Sequence, residues 1–190
     1  MTNETPKEPS TTPEKASAEQ AIIEGRKQKA KKLRERGENP FANDTRPTRG
    51  GETTTLRGLR DAASSARDEA GKYDEAKVKA ALEGRSFHVR GRVLAIRVTG
   101  GLSFLRLRDG TGELQILCDQ SKMGEEYTRL DDLDIGDVVE TEGSVTASKR
   151  GELSLEPTRV RLLTKAYRPL PEKWHGLTDV ETRYRQRYVD

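Results

Sequence analysis

The sequence is poor in cysteine, histidine and apolar runs: its 190 residues include one cysteine and two histidines. The lone cysteine, Cys118, excludes an intrachain disulfide and is expected to be a small core residue. No run of about 20 apolar residues is present, so the sequence predicts no membrane span. The first residues also lack the apolar core of a signal peptide. These absences predict a cytoplasmic protein without a membrane partner.

Motifs for catalysis and metal binding are missing as well. His88 and His175 lie far apart in the sequence, and no closely spaced pair of cysteines accompanies them. Neither a phosphate-binding P-loop nor a nucleophile elbow is present. Carboxylates are numerous but scattered, so no acid–base pair stands out. We therefore expect no catalytic residue, no metal site and no bound cofactor in these residues.

Apolar residues are scarce throughout: 32% of the chain is hydrophobic and 35% is charged. This balance predicts that only part of the chain packs a core. Residues 1–17 are mainly Pro, Thr, Glu and Lys, which is typical of a disordered tail. The formal net charge is only +3, so the distribution of charge matters more than its sum.

A basic helix is predicted after this tail, within the segment 18–38, with Gly37 as its stop signal. Its apolar positions are few, so only a thin stripe is available for packing. The helix is either a solvated charged helix or an arm that binds nucleic-acid phosphates without sequence preference. The candidate phosphate-binding residues are Arg26, Lys27, Lys29, Lys31, Lys32 and Arg34.

The central part of the chain changes from helical to strand periodicity. Residues 39–84 are expected to form a linker with short surface helices at 56–70 and 73–82. Strands are predicted at 86–98, 102–108, 113–118, 137–146 and 152–163, with a short helix at 125–130. Gly91, inside the long first strand, is typical of a bulge or bend.

Three strands, a helical connection and two further strands are the order of an OB-fold. The predicted fold is therefore mainly β with flanking helices: a five-stranded Greek-key barrel over 85–165, preceded by the basic helix. Residues 166–190 are expected to be a proline-rich connector and the start of a helix. That helix has no stop signal before Asp190, so we expect the chain to continue in a longer protein.

Two predicted strands carry polar residues on one face. Phe104 and Arg106 alternate with apolar residues along one strand, and Gln115 lies between two apolar residues on the next strand. An exposed aromatic ring can stack on an unpaired base, and an amide can recognise the base edge, so single-stranded RNA is the first ligand to consider. Arg97 and Arg106 are candidates for phosphate, or they simply solvate the sheet. Glu152 is either a hydrogen-bond acceptor for a base or a solvated turn carboxylate.

Several segments resemble one family, the bacterial-type class II lysyl-tRNA synthetases, over residues 18–190 of this chain. The segments that carry the resemblance are 34–41, 133–137, 149–154, 168–177 and 183–190. It implies an anticodon-binding OB domain in which Phe104 stacks on the central uridine and Gln115 recognises its edge. Arg97 and Glu152 match two further anticodon-binding positions of the family.

The resemblance also implies what the longer protein does. The full enzyme would be a homodimer that uses ATP and Mg²⁺ to charge tRNA(Lys) with lysine, and this portion would bind the anticodon stem-loop without a cofactor. The catalytic motifs of the family would follow Asp190. Two alternatives stay open: a free-standing OB-fold RNA-binding module without ligase activity, and a sheet that serves only as a dimer surface.

Overall fold

The computed structural model describes residues 13–42, 44 and 50–170. Its helices are α1 (Pro13–Glu35), α2 (Leu56–Ala62), α3 (Glu75–Ala81) and α4 (Gln120–Met123), with 3₁₀ helices at Ser64–Ala66 and Gly124–Asp132. Its strands are β1 (Glu52–Thr53), β2 (Phe87–Thr99), β3 (Leu102–Asp109), β4 (Gly112–Asp119), β5 (Val138–Ala147) and β6 (Leu153–Thr164). Within the described residues, no helix has the length and apolar character needed to span a membrane.

Five of the strands close into a barrel in the order β2-β3-β4-β6-β5, with β5 pairing back onto β2. The pairing of β4 with β6 is parallel, and the other pairings of the barrel are antiparallel. This closed arrangement confirms the predicted OB-fold. The two-residue strand β1, which the sequence does not predict, adds a short parallel edge to β2.

The long strand β2 belongs to both halves of the barrel, and Gly91 lies where it passes from one to the other. A Cβ at Gly91 would lie 2.9 Å from the carbonyl oxygen of Arg108 and 3.2 Å from the Cβ of Leu107. Glycine is therefore needed for close approach to β3. The bulge itself falls later, between Val93 and Ala95, so Gly91 does not mark it.

Alternating side chains of β3 and β4 build the core. Leu105 and Leu107 on β3 and Leu114 and Ile116 on β4 are almost completely buried. Cys118 continues the same face, and burial raises the pKa of its thiol to about 12. The thiol therefore stays protonated, as expected of a small core residue.

Residues 56–82 were expected to form helices on the surface, and the structure corrects this. Leu56 and Leu59 of α2 and Val78 of α3 are fully buried in the same cluster as the barrel interior. Thr55 caps the start of α2 by accepting a hydrogen bond from the amide of Gly58. These helices are thus part of the core, because their spaced apolar side chains pack against the barrel.

Helix α1 begins five residues before the predicted position 18 and ends at Glu35, with Gly37 as the predicted stop signal just after it. The amide of Gly37 donates to the carbonyl of Arg34 and that of Glu38 to the carbonyl of Leu33. Gly37 has a φ of +78°, which favours glycine over residues with a Cβ. This hydrogen-bond pair is the Schellman arrangement, which satisfies the last carbonyls of the helix.

Buried charges attach α1 to the end of the barrel. The Lys165 side chain is completely buried, and its Nζ donates to Asp134 and, at 2.9 Å, to Asp137. Lys29 of α1 joins the same cluster, with its Nζ 3.0 Å from Oδ1 of Asp134. Arg26 donates to the carbonyl oxygens of Ala166 and Arg168.

Asp134 connects the two lysines of this cluster. Its partial burial alone would raise its pKa, but hydrogen bonds and positive charge from Lys165 and Lys29 outweigh burial and lower the pKa below its ordinary value. A lowered folded-state pKa means that the ionised carboxylate stabilises the fold above the unfolded-state pKa. That contribution is lost as the pH falls through the folded-state pKa.

We expect Asp134→Asn to lower the free energy of unfolding at pH 7 by about 1–3 kcal/mol, as for a lost charged hydrogen bond. Urea unfolding measures the change, and the exposed Asp131→Asn is the matched control. The difference between wild type and Asp134→Asn should shrink once the pH falls below the ordinary carboxyl pKa of about 3.9. Equal effects of the two substitutions at pH 7 would contradict this role.

Candidate nucleic-acid interface

A cavity of about 590 Å³ lies on the outer face of the barrel, between β2, β3, β4 and the β5–β6 turn. The five candidate residues predicted on the barrel all line it: Arg97, Phe104, Arg106, Gln115 and Glu152. The structure therefore brings these residues together, although they come from four separate segments of the sequence.

Strand register explains this convergence. Phe104 lies opposite Arg97 of β2, and Arg106 lies opposite Gln115 of β4. Paired residues of neighbouring strands share a face. Gln115 is in turn paired with Ser154 of β6, so polar residues form a row across three strands. Phe104 and Gln115 are both partly exposed, whereas the residues on either side of each are buried.

The charge of Arg106 is balanced within the site. Its guanidinium lies 3.2 Å from Oε1 of Glu152 and 3.5 Å from Oε2 of Glu113. The pKa of Glu113 is lowered chiefly by its hydrogen bond with Arg108, against the opposing effect of burial, and Arg106 adds to the lowering. Arg106 therefore positions Glu152 and carries little uncompensated charge.

Three other cations at the cavity are uncompensated. Arg97, Lys149 and Arg150 line it, are exposed, and have no ion pair among the residues that the structure describes. Lys149 and Arg150 are not among the predicted site residues, because in the sequence they only form part of the 149–154 segment that carries the resemblance. The signal in the sequence is a pair of adjacent basic residues that a single glycine, Gly151, separates from the candidate Glu152.

The Gln115 amide has one defined partner. Its Nε2 donates to Oγ of Ser154 at 3.0 Å, and its Oε1 accepts no hydrogen bond within the described part of the chain. An amide with a free acceptor and a remaining N–H can form two hydrogen bonds with a base edge. Beside an aromatic ring, this geometry suits one stacked, unpaired base.

The basic residues of α1 do not line this cavity. Arg26 is buried and Lys29 is paired with Asp134, so both attach the helix to the barrel. Arg34 lies over the ring of Phe41, with its Cζ 5.7 Å from the ring centroid. The residues Lys27, Lys31, Lys32 and Arg34 are exposed. We call these four side chains the α1 surface; two of them have carboxylate neighbours, with Nζ of Lys27 4.0 Å from Glu24 and Nζ of Lys31 3.9 Å from Glu35.

Other candidate groups do not form a second site. His88 is buried, and its Nε2 lies 3.1 Å from Oε2 of Glu140. His175 and most of the 168–177 segment fall outside the described residues, as does 183–190. Within the described part, no three His, Cys, Asp or Glu side chains are arranged to hold a metal ion.

Comparison with known proteins agrees with this geometry. Residues 87–163 match the tRNA anti-codon family, described as an OB-fold nucleic acid binding domain. The barrel has the OB-fold arrangement, and its sequence is similar to the nucleic acid binding domains of this family.

Curated relatives are more specific. The chain is 44% identical over 178 residues to the lysine–tRNA ligase of Anaeromyxobacter sp. (strain K), which covers 93% of this chain and 32% of that protein. It is 51% identical over 106 residues to the lysine–tRNA ligase of Xanthomonas campestris pv. campestris (strain 8004), covering 56% of the chain and 21% of the relative. The resemblance is confirmed: the chain is similar in sequence to lysine–tRNA ligases, and it spans about a third or less of their length.

The charge arrangement predicts which residues set the salt dependence of binding to single-stranded RNA. Each phosphate contact contributes about 0.7 to the slope of log affinity against log salt. Lys149→Gln combined with Arg150→Gln should reduce this slope by about 1.4. Arg106→Gln, as the control, should change it by less than half of one contact because Glu113 and Glu152 already balance the charge. A larger effect of Arg106→Gln would contradict the assignment.

Proposed function

We propose that this chain recognises the anticodon stem-loop of tRNA(Lys) as the N-terminal part of a lysine–tRNA ligase. The observation that supports it best is the placement of Phe104 and Gln115 beside each other on one cavity. A uridine stacked on the Phe104 ring would present its edge to the Gln115 amide. Arg97, Lys149 and Arg150 would hold the flanking phosphates.

Each group has a distinct part in this proposal. Stacking on Phe104 supplies affinity for any base, because every base has a π-face. The Gln115 Oε1 accepts from N3–H of uracil, and the remaining N–H donates to a neighbouring carbonyl oxygen of the base. Glu152, held by Arg106, closes the side of the cavity next to Gln115. Contacts to the base determine which sequence is bound, whereas contacts to the phosphates position the RNA.

The longer protein is part of the proposal. It would be a cytoplasmic homodimer that charges tRNA(Lys) with lysine, using ATP and Mg²⁺. The chain spans about a third or less of the length of the ligases it matches, so this reaction is proposed for the longer protein and no step of it is placed on the described residues. The relatives that match this region are ligases, and no observation favours a free-standing RNA-binding module.

Phe104→Ala tests the stacking. It should weaken binding of a lysine anticodon stem-loop by about 1–3 kcal/mol, because one base–aromatic stack is lost. Fluorescence anisotropy with labelled RNA measures the change. Phe41→Ala is the matched control, since Phe41 is also partly exposed but lies outside the cavity. Unchanged affinity of the Phe104→Ala variant would show that the Phe104 ring does not contribute to binding.

We also propose that the α1 surface contacts tRNA phosphates outside the anticodon loop. Replacing Lys27, Lys31 and Lys32 with Gln should reduce the salt slope for full-length tRNA by between about 0.7 and about 2, because Glu24 and Glu35 partly balance Lys27 and Lys31. Replacing Lys77 and Lys79 of α3 is the control and should leave the slope as in wild type. An unchanged salt slope in the α1 variant would show that α1 is a solvated helix that does not contact RNA.

A further inference from the structure

Ser154 is a buried residue whose hydroxyl contacts Gln115 from the neighbouring strand. It lies on β6 as the in-register parallel partner of Gln115 and is completely inaccessible to solvent. Its Oγ accepts from Gln115 Nε2 at 3.0 Å. It also lies 3.4 Å from the backbone carbonyl oxygen of Glu152, to which it donates. Ser154 does not line the cavity, so it acts on RNA only through other residues.

The two contacts of Ser154 determine the orientation of the Gln115 amide. A carbonyl oxygen only accepts, so the 3.4 Å contact with Glu152 uses the single hydroxyl proton of Ser154. The Ser154 oxygen is then left to accept, and only the nitrogen side of the Gln115 amide can donate to it. A rotation of the amide by 180° would place two acceptors against each other.

This orientation matters for the choice between pyrimidines. Uracil carries a donor at N3, whereas cytosine carries an acceptor at N3 and an amino donor beside it. An amide that is free to turn can exchange its acceptor and donor and match either base. An amide held in one orientation matches only one of them when stacking fixes the base in place.

We infer that Ser154 is a positioning residue that holds the Gln115 amide in one orientation and so sets the preference for uridine over cytosine. This inference rests on the proposed anticodon recognition. It assigns to Ser154 an effect on discrimination that exceeds its effect on affinity. The hydroxyl exerts this effect without touching the RNA.

The test measures binding of the 190-residue chain to two lysine anticodon stem-loops, with uridine or cytosine at the centre. Ser154→Ala should lower the uridine-to-cytosine affinity ratio about three- to tenfold, the value of one hydrogen bond. Affinity for the uridine loop should fall less than the ratio does. Thr146→Val is the matched control, because Thr146 is a buried hydroxyl residue paired with Ser154 on β5.

A double-mutant cycle separates positioning from a structural effect. In a Gln115→Ala background, Ser154→Ala should change the ratio by less than about twofold, because no amide is left to orient. Ser154→Thr, which keeps a hydroxyl, should restore discrimination. If Ser154→Ala does not fold, the near-isosteric Ser154→Cys replaces it, and its weaker acceptor should also lower the ratio.

The outcomes distinguish this inference from the proposed function. A wild type without preference for uridine would overturn both. A wild-type preference that survives in Ser154→Ala, or equal loss of affinity for both loops, would overturn the positioning role and leave anticodon recognition standing. If Ser154→Ala lowers the uridine-to-cytosine affinity ratio equally in the presence and absence of Gln115, the role of Ser154 is structural only.

Discussion

The alternation of side chains on β3 and β4 is the constraint on which the candidate site depends. Leu105 and Leu114 are almost completely buried in the barrel, so their neighbours Phe104 and Gln115 must face outward. A register slip of one residue would place the ring and the amide in the core and expose the leucines. The packing that stabilises the barrel therefore also presents the candidate base-binding residues.

Charges in this chain divide into two groups by their partners. Lys165, Lys29 and Asp134 are joined in a partly buried cluster that fixes α1 to the barrel. Their desolvation is offset by mutual hydrogen bonds, so they are not available to a ligand. Arg97 and Lys149 line the cavity and have no ion pair among the described residues. A phosphate bound there would supply the missing opposite charge. Basic side chains of one chain can thus have different roles, decided by their tertiary contacts.

Much of the fold follows from local sequence signals, whereas the contributions of distant segments do not. Alternation and turn residues predict the five strands, and they predict the outward direction of Phe104 and Gln115. The buried role of Leu56 and Leu59 was missed because their spacing suits any amphipathic helix, and only the barrel supplies their packing partner. Lys149 joins the cavity only because β6 pairs in parallel with β4, which no local pattern shows.

The most direct test of anticodon recognition is the affinity of the unaltered chain for lysine anticodon stem-loops that differ only at the central base, measured at low and high salt. The account predicts tightest binding to uridine at both salt concentrations, because stacking and base-edge hydrogen bonds are less sensitive to salt than phosphate contacts. Equal affinity for all four bases, with a steep salt dependence, would contradict it. Binding would then be electrostatic, without recognition of the base.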